Sequence, residues 1–162
     1  MSDANSESIN LNQGRKAVQK LIDNGRLQRI TSSRVHAERL LKQSRNHLTS
    51  AAKTAEEDPE GAYNTLYDAA RKALVAVLEV QGLRPTSKGG HVVIYDALKA
   101  QIDPPLGNVV ATFNRMRKSR HGNEYPSVEE PELTTQDVLE DLAKSIEIVN
   151  VAEKLLGQFP IF

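Results

Sequence analysis

The chain has no cysteine and no tryptophan, and its 162 residues include only three phenylalanines and four tyrosines. Without cysteine there is no disulfide, no thiolate zinc site and no cysteine nucleophile, which suits a reducing cytosol. An excess of one charge is missing too: 21 Lys and Arg balance 21 Asp and Glu. A protein that coats nucleic acid along its whole surface would be basic throughout, so any anion binding here has to be local. No apolar run approaches the roughly 18 residues of a membrane span. Residues 1–10 lack the basic start and apolar stretch of a signal peptide. Together these gaps point to a cytoplasmic globular protein, long enough for one hydrophobic core.

What is present is helical periodicity. Residues 1–11 are rich in Ser, Asn, Asp and Glu with almost nothing to bury, and they read as a disordered tail. Residues 12–162 then read as a single domain. Spacing predicts a short helix over 14–23 with Val18, Leu21 and Ile22 inward. A second follows the Thr31-Ser32-Ser33 capping cluster to about Glu57, its inward stripe including Ala37, Leu41, Ser44, Leu48 and Ala52. Asp58-Pro59 supplies a cap and a first-turn proline for a third helix, to about Gln81. Residues 73–78 are apolar on nearly every side, so this helix is expected to be the most buried. After a loop over 82–90, a fourth helix covers about 91–102 and a fifth about 106–120. Gly122, Pro126 and Pro131 interrupt the chain before Thr134 or Thr135 caps a last helix to Leu156. Its inner face is Val138, Leu142, Ile146, Val149 and Leu156. No two-residue alternation marks a strand. The fold class is all-α, a four- to six-helix up-and-down bundle.

The fifth helix carries the densest chemistry. Residues 115–121 hold Arg115, Arg117, Lys118, Arg120 and His121 within seven positions. Val109, Val110, Phe113 and Met116 form the apolar stripe. Arg120 lies seven residues after Phe113 and Arg117 four after it, so both project from the end of the buried face. Arg115 and Lys118 fall on the solvated side. A guanidinium near the core needs an acid, an aromatic face or an anion, and its fork of donors suits a phosphate. Arg117 and Arg120 are therefore the phosphate-binding candidates, and His121 is a proton acceptor near neutral pH. The structural alternative is that Arg120 pairs with Glu124 or with an acid of the last helix.

Weaker signals lead elsewhere. His36 and His47 lie about 16 Å apart along one helix and cannot share a metal. Lys88-Gly89-Gly90-His91 lacks the spaced glycines of a phosphate loop and reads as a glycine pair capping a helix. Glu129, Glu130 and Glu132 form an acidic loop that either shields the arginines or is a solvated connection. No cofactor and no metal is expected.

Ala62-Tyr63 and Tyr67-Asp68-Ala69-Ala70-Arg71-Lys72-Ala73-Leu74 resemble the long helix of HEPN domains, and Lys88-Gly89-Gly90-His91 resembles the loop that follows it. Arg120-His121-Gly122-Asn123-Glu124-Tyr125 is similar to the family motif of arginine, a polar residue, three variable residues and histidine. The resemblance covers roughly residues 30–157. It implies a helical bundle that dimerises, RNA binding and, as in many members, metal-independent endoribonuclease action in toxin–antitoxin or defence systems. Arg120 would stabilise phosphate, and His121, its polar neighbour, would act as base, because Tyr125 stands where the family has its histidine. Arginine and histidine at Arg115 and His121 also fit a looser spacing, with Arg115 on the wrong face. Members without the histidine bind RNA, nucleotides or partner proteins without cleaving. Some pair with a minimal nucleotidyltransferase that modifies a tyrosine near the motif, a position held here by Tyr125. Two readings stand: an RNA-binding domain with endoribonuclease chemistry at Arg120, His121 and Tyr125, or a non-catalytic dimerisation, protein-interaction or nucleotide-binding module.

Overall fold

The structure, a computed structural model, describes residues 8–162, the side chain of Glu124 excepted. In chain order its elements are α1 (Arg15–Asp23), β1 (Leu27–Arg29), α2 (Arg34–Thr54), α3 (Pro59–Val80), β2 (Leu83–Pro85), α4 (Val92–Ile102), α5 (Gly107–Glu124) and α6 (Thr135–Leu156). The starts of α2, α3 and α6 fall where side chains satisfy free N–H groups. Ser33 Oγ accepts from the amide of His36, Asp58 Oδ1 from that of Gly61, and Thr134 and Asp137 form a reciprocal capping box.

The third helix is the axis of the bundle, as its composition predicts. It packs against α2, α6, α5 and α4. Ala62, Leu66, Tyr67, Ala69, Ala70, Ala73, Leu74, Ala76, Val77 and Leu78 are fully buried. Alanines at so many of these positions let neighbouring helices approach closely, while Leu66, Leu74 and Leu78 fill the spaces between them. Two polar groups are accommodated by backbone oxygens: Ser145 Oγ donates to the Leu66 carbonyl at 2.7 Å and Ser44 Oγ to that of Leu40 at 2.9 Å.

Several expectations need correction. A two-stranded antiparallel ladder pairs Leu27 with Pro85, Gln28 with Arg84 and Arg29 with Leu83. Three residues per strand are too few to show an alternating pattern, and only burial of Leu27 and Leu83 marks their inner side. On α6, Ile146 is 40 % exposed, and the inward positions are Asp141, Ser145 and Ile148 beside Leu142 and Val149. Ala52 likewise faces outward. The expected N-terminal tail lies outside the described residues over 1–7, but Ile9 is half-buried against the core, beside Leu106, Val151 and Leu155. Finally, α5 does not stop at Arg120. Glycine inside a helix costs only about 1 kcal/mol relative to alanine, and the helix continues through Gly122 to Glu124. It ends where Pro126 bars helical geometry at the preceding residue: Tyr125 has left the helix at φ −124° and ψ 67°.

Leu74→Ala removes a fully buried side chain from the most enclosed helix. It should lower the unfolding free energy by about 2–5 kcal/mol, read as a lower urea midpoint with an unchanged slope. Leu139→Ala on the exposed side of α6 should stay within about 0.5 kcal/mol of wild type.

Candidate functional site

Three helices meet at Tyr67. Its ring stacks on Phe113 of α5, with centroids 5.7 Å apart and planes 8° from parallel. Its hydroxyl lies 2.8 Å from Nδ1 of His91 at the start of α4. The guanidinium carbon of Arg120 sits 5.7 Å from the centre of the same ring, within reach of a cation–π attraction. Around this point a cleft of about 210 Å³ is lined by Tyr67, His91, Val92, Arg117, Arg120 and His121. No acidic side chain lines it among the described residues.

The continuation of α5 past Gly122 builds one wall. Arg117, Arg120 and His121 are spaced by three and four positions and share a helical face. Arg117 and Arg120 are half-buried, whereas His121 and Lys118 are exposed. The Arg117 guanidinium is oriented by its own helix: Nε and Nη2 donate to Oδ1 of Asn114 at 3.2 and 3.0 Å. That partner is neutral, so the bond fixes direction without cancelling charge. Tyr125 does not line the cleft. It is 68 % exposed at the end of α5, its ring 5.0 Å from that of His121. The considered partnership of Arg120 with Glu124 involves a side chain outside the described residues.

The opposite wall holds a residue with no functional role in the sequence reading. His91 sits at the N-cap of α4 but makes no capping bond with its side chain; the imidazole is turned to Tyr67 instead. The loop before it is held in place from several sides. Thr86 Oγ1 donates to the carbonyl of Gly25 at 2.6 Å, and the Thr86 amide to that of Arg26 at 3.0 Å. Gly89 passes so close to the chain that a Cβ there would lie 2.3 Å from the Arg26 carbonyl oxygen. Arg26 in turn pairs with Asp96 of α4 at 2.7 Å. Gly89 is therefore a close-approach position and Gly90, at φ 59°, a left-handed turn, and together they set the path of the chain into His91. The only hint in the sequence was a histidine directly after two glycines.

The electrostatics are consistent with a site for anions. Burial holds the His91 pKa below its usual value, and Arg71 and Arg120 push it the same way, against the opposing pull of Asp68. Burial likewise pushes the Tyr67 phenol up to about 12, although the nearby arginines pull it down. At neutral pH the cleft thus presents a neutral imidazole, a protonated phenol and two guanidinium groups.

Arg115 is exposed, as expected, but its guanidinium is engaged in a pair that the sequence did not indicate. It reaches α6, where its Nη1 and Nη2 donate to Oδ2 and Oδ1 of Asp141 at 3.1 and 2.7 Å. Tyr63 donates to the same carboxylate at 2.7 Å. Asp137, Glu140 and Lys144 line the adjoining cavity of about 250 Å³. Its acids offset its cations, so this second hollow is a compensated ionic contact between α5 and α6. The side-chain amine of Lys72 lies 3.0 Å from Nε2 of His47. Burial first, and that amine second, lower the His47 pKa. The acidic loop is exposed, with Oε2 of Glu130 within 3.7 Å of where a Cβ on Gly122 would lie. No described helix is long and apolar enough to cross a membrane.

A family model described as HEPN domain matches residues 37–155. No curated protein and no solved structure matches the chain.

The Asp141 contact makes its own prediction. Burial opposes ionisation of this carboxyl, but the bonds from Arg115 and Tyr63 outweigh it and hold the pKa below the usual aspartate value. A depressed folded pKa means that the stabilisation is complete above about pH 4 and is lost as pH falls through the folded value. Asp141→Asn should therefore cost about 1–3 kcal/mol at pH 7. It should also flatten the loss of stability below pH 4 in urea titrations.

Proposed function

The chain belongs to the HEPN domain family, and we propose that it is an RNA-binding member whose cleft between α3, α4 and α5 holds a phosphodiester. The observation that carries this reading is the convergence of Arg117 and Arg120 on a half-enclosed cleft with no acidic lining among the described residues. In a chain of zero formal charge, such a concentration of cations is a local feature. Arg117 brings a fork of donors already oriented by Asn114, and Arg120 brings a charge held over the face of Tyr67. Both are suited to phosphate oxygens.

The chemistry that fits RNA at such a site is the metal-independent endoribonuclease action implied by the family. The 2′-hydroxyl attacks the adjacent phosphorus while the guanidinium groups stabilise the charge that gathers on the phosphate oxygens. A role in a toxin–antitoxin or defence system, in the cytoplasm and as a homodimer, agrees with this reading. On this reading Tyr125 is a candidate for modification by a cognate nucleotidyltransferase, supported by its exposure at the end of α5. A second reading, a module for dimerisation or protein contact, draws on the exposed Leu139 and Ile146 of α6. Those side chains lie away from the cleft lining, so both surfaces can operate in one molecule.

Binding of a fluorescent single-stranded RNA measured by anisotropy tests the phosphate site. Arg117→Ala and Arg120→Ala should each weaken binding about tenfold, or about 1.4 kcal/mol, and reduce its salt dependence. Lys118→Ala, on the exposed side, should change affinity less than about twofold. Equal affinity of wild type and both arginine variants would remove the RNA-binding reading.

A further inference from the structure

Resting on the RNA-binding reading above, we infer that His91 is the general base of RNA cleavage in this protein, held in position by Tyr67. The geometry favours it over the two residues near the family motif. Tyr125 does not line the cleft and is mostly exposed. His121 lines the cleft, but it is exposed and its ring contact is with Tyr125. His91 alone among the three is half-buried, lines the cleft with both arginines, and has one ring nitrogen fixed by a buried group.

The two nitrogens have separate tasks. When Nδ1 carries the imidazole hydrogen and donates it in a hydrogen bond to Tyr67 Oη, the lone pair of the neutral imidazole resides on Nε2, the nitrogen remote from Tyr67. With an RNA phosphodiester held by Arg117 and Arg120, Nε2 takes the proton of the 2′-hydroxyl. The 2′-oxygen forms a bond to phosphorus, and the bond from phosphorus to the 5′-oxygen breaks. The leaving oxygen takes a proton from water. The products are a 2′,3′-cyclic phosphate and a free 5′-hydroxyl, and the imidazolium of His91 returns its proton to solvent. No electrons are transferred.

The groups that act on His91 come from two helices: Tyr67, Asp68 and Arg71 of α3, and Arg117 and Arg120 of α5, with His121 sharing the cleft. Burial and the arginines oppose protonation more strongly than Asp68 favours it. A base in that setting stays neutral to lower pH than a free histidine, whose pKa is about 6.5.

The test measures cleavage of a short RNA by the full chain in the presence of chelator, alongside binding of the matching 2′-deoxy strand. His91→Ala should lower kcat at least 100-fold, in the range of a lost general base, while affinity for the uncleavable strand changes less than about threefold. Added imidazole should restore part of the rate, an effect that a purely structural histidine would not show. In wild type the acid limb of kcat/KM should fall below pH 6.5, and Tyr67→Phe should shift it. His121→Ala should reduce binding and cleavage together, by several-fold, and keep the acid limb. Should His91→Ala fold poorly, His91→Gln and the wild-type pH profile still decide the matter. An acid limb at or above pH 6.5, or cleavage by the His91 variants within threefold of wild type, overturns the assignment. Binding of RNA without any cleavage overturns it as well but leaves the RNA-binding reading standing. Absence of RNA binding removes that underlying reading itself.

Discussion

Burial of one phenol ring between three helices organises both the bundle and its candidate site. Tyr67 is inaccessible to solvent, so its hydroxyl requires a partner and its ring requires close neighbours. His91 meets the first requirement; Phe113 and the Arg120 guanidinium meet the second. The contacts come from two other stretches of chain, the start of α4 and the helix α5, and none is local. The same residue thus joins α3 to α4 through a hydrogen bond and to α5 through stacking. It also sets the distance between an imidazole and the arginines. Displacing the ring would leave a buried cavity at the axis of the bundle and uncouple the two walls of the cleft.

A comparison of the two hollows beside α5 shows how charge accounting distinguishes a structural contact from a site. At Arg115 the guanidinium meets a carboxylate already bonded to Tyr63, and further acids surround it. The charge is compensated within the protein, and the contact secures α5 against α6. One turn further along, Arg117 is directed by a neutral amide and Arg120 lies over an aromatic face. The amide of Asn114 orients the Arg117 guanidinium without neutralising it, and a fork of donors held in that way suits an anion. The alternation follows from helical phase: Arg115 turns toward α6, while Arg117 and Arg120 turn toward α3 and α4.

Much of the fold was legible because helices declare themselves locally. The caps at Ser33, Asp58 and Thr134, the proline at the start of α3 and its unbroken apolar run all predicted elements that the structure contains. Errors arose where the deciding interaction was distant or weak. Gly122 was expected to end α5, yet a single glycine costs less than the contacts that favour helix, and Pro126 supplied the stop. Ile146 fits an inward stripe by spacing, but the observed face is rotated so that Asp141 and Ser145 reach Arg115, Tyr63 and the Leu66 carbonyl. The three-residue strands had no pattern long enough to detect.

The sequence by itself determined the helical class, the family, the burial of α3 and the angular position of Arg117 and Arg120, because each depends on the period of a single helix or on the order of short motifs. It could not determine which side chains face those arginines. His91 comes from a loop whose path is set by the β1–β2 ladder, by the bonds of Thr86 and by the close passage of Gly89 over Arg26. Arg115 acquires its role from an aspartate 26 residues away. Tertiary packing alone brought these groups within hydrogen-bonding distance. The reason is physical: burial and charge compensation act between surfaces, and no single element of the chain carries both.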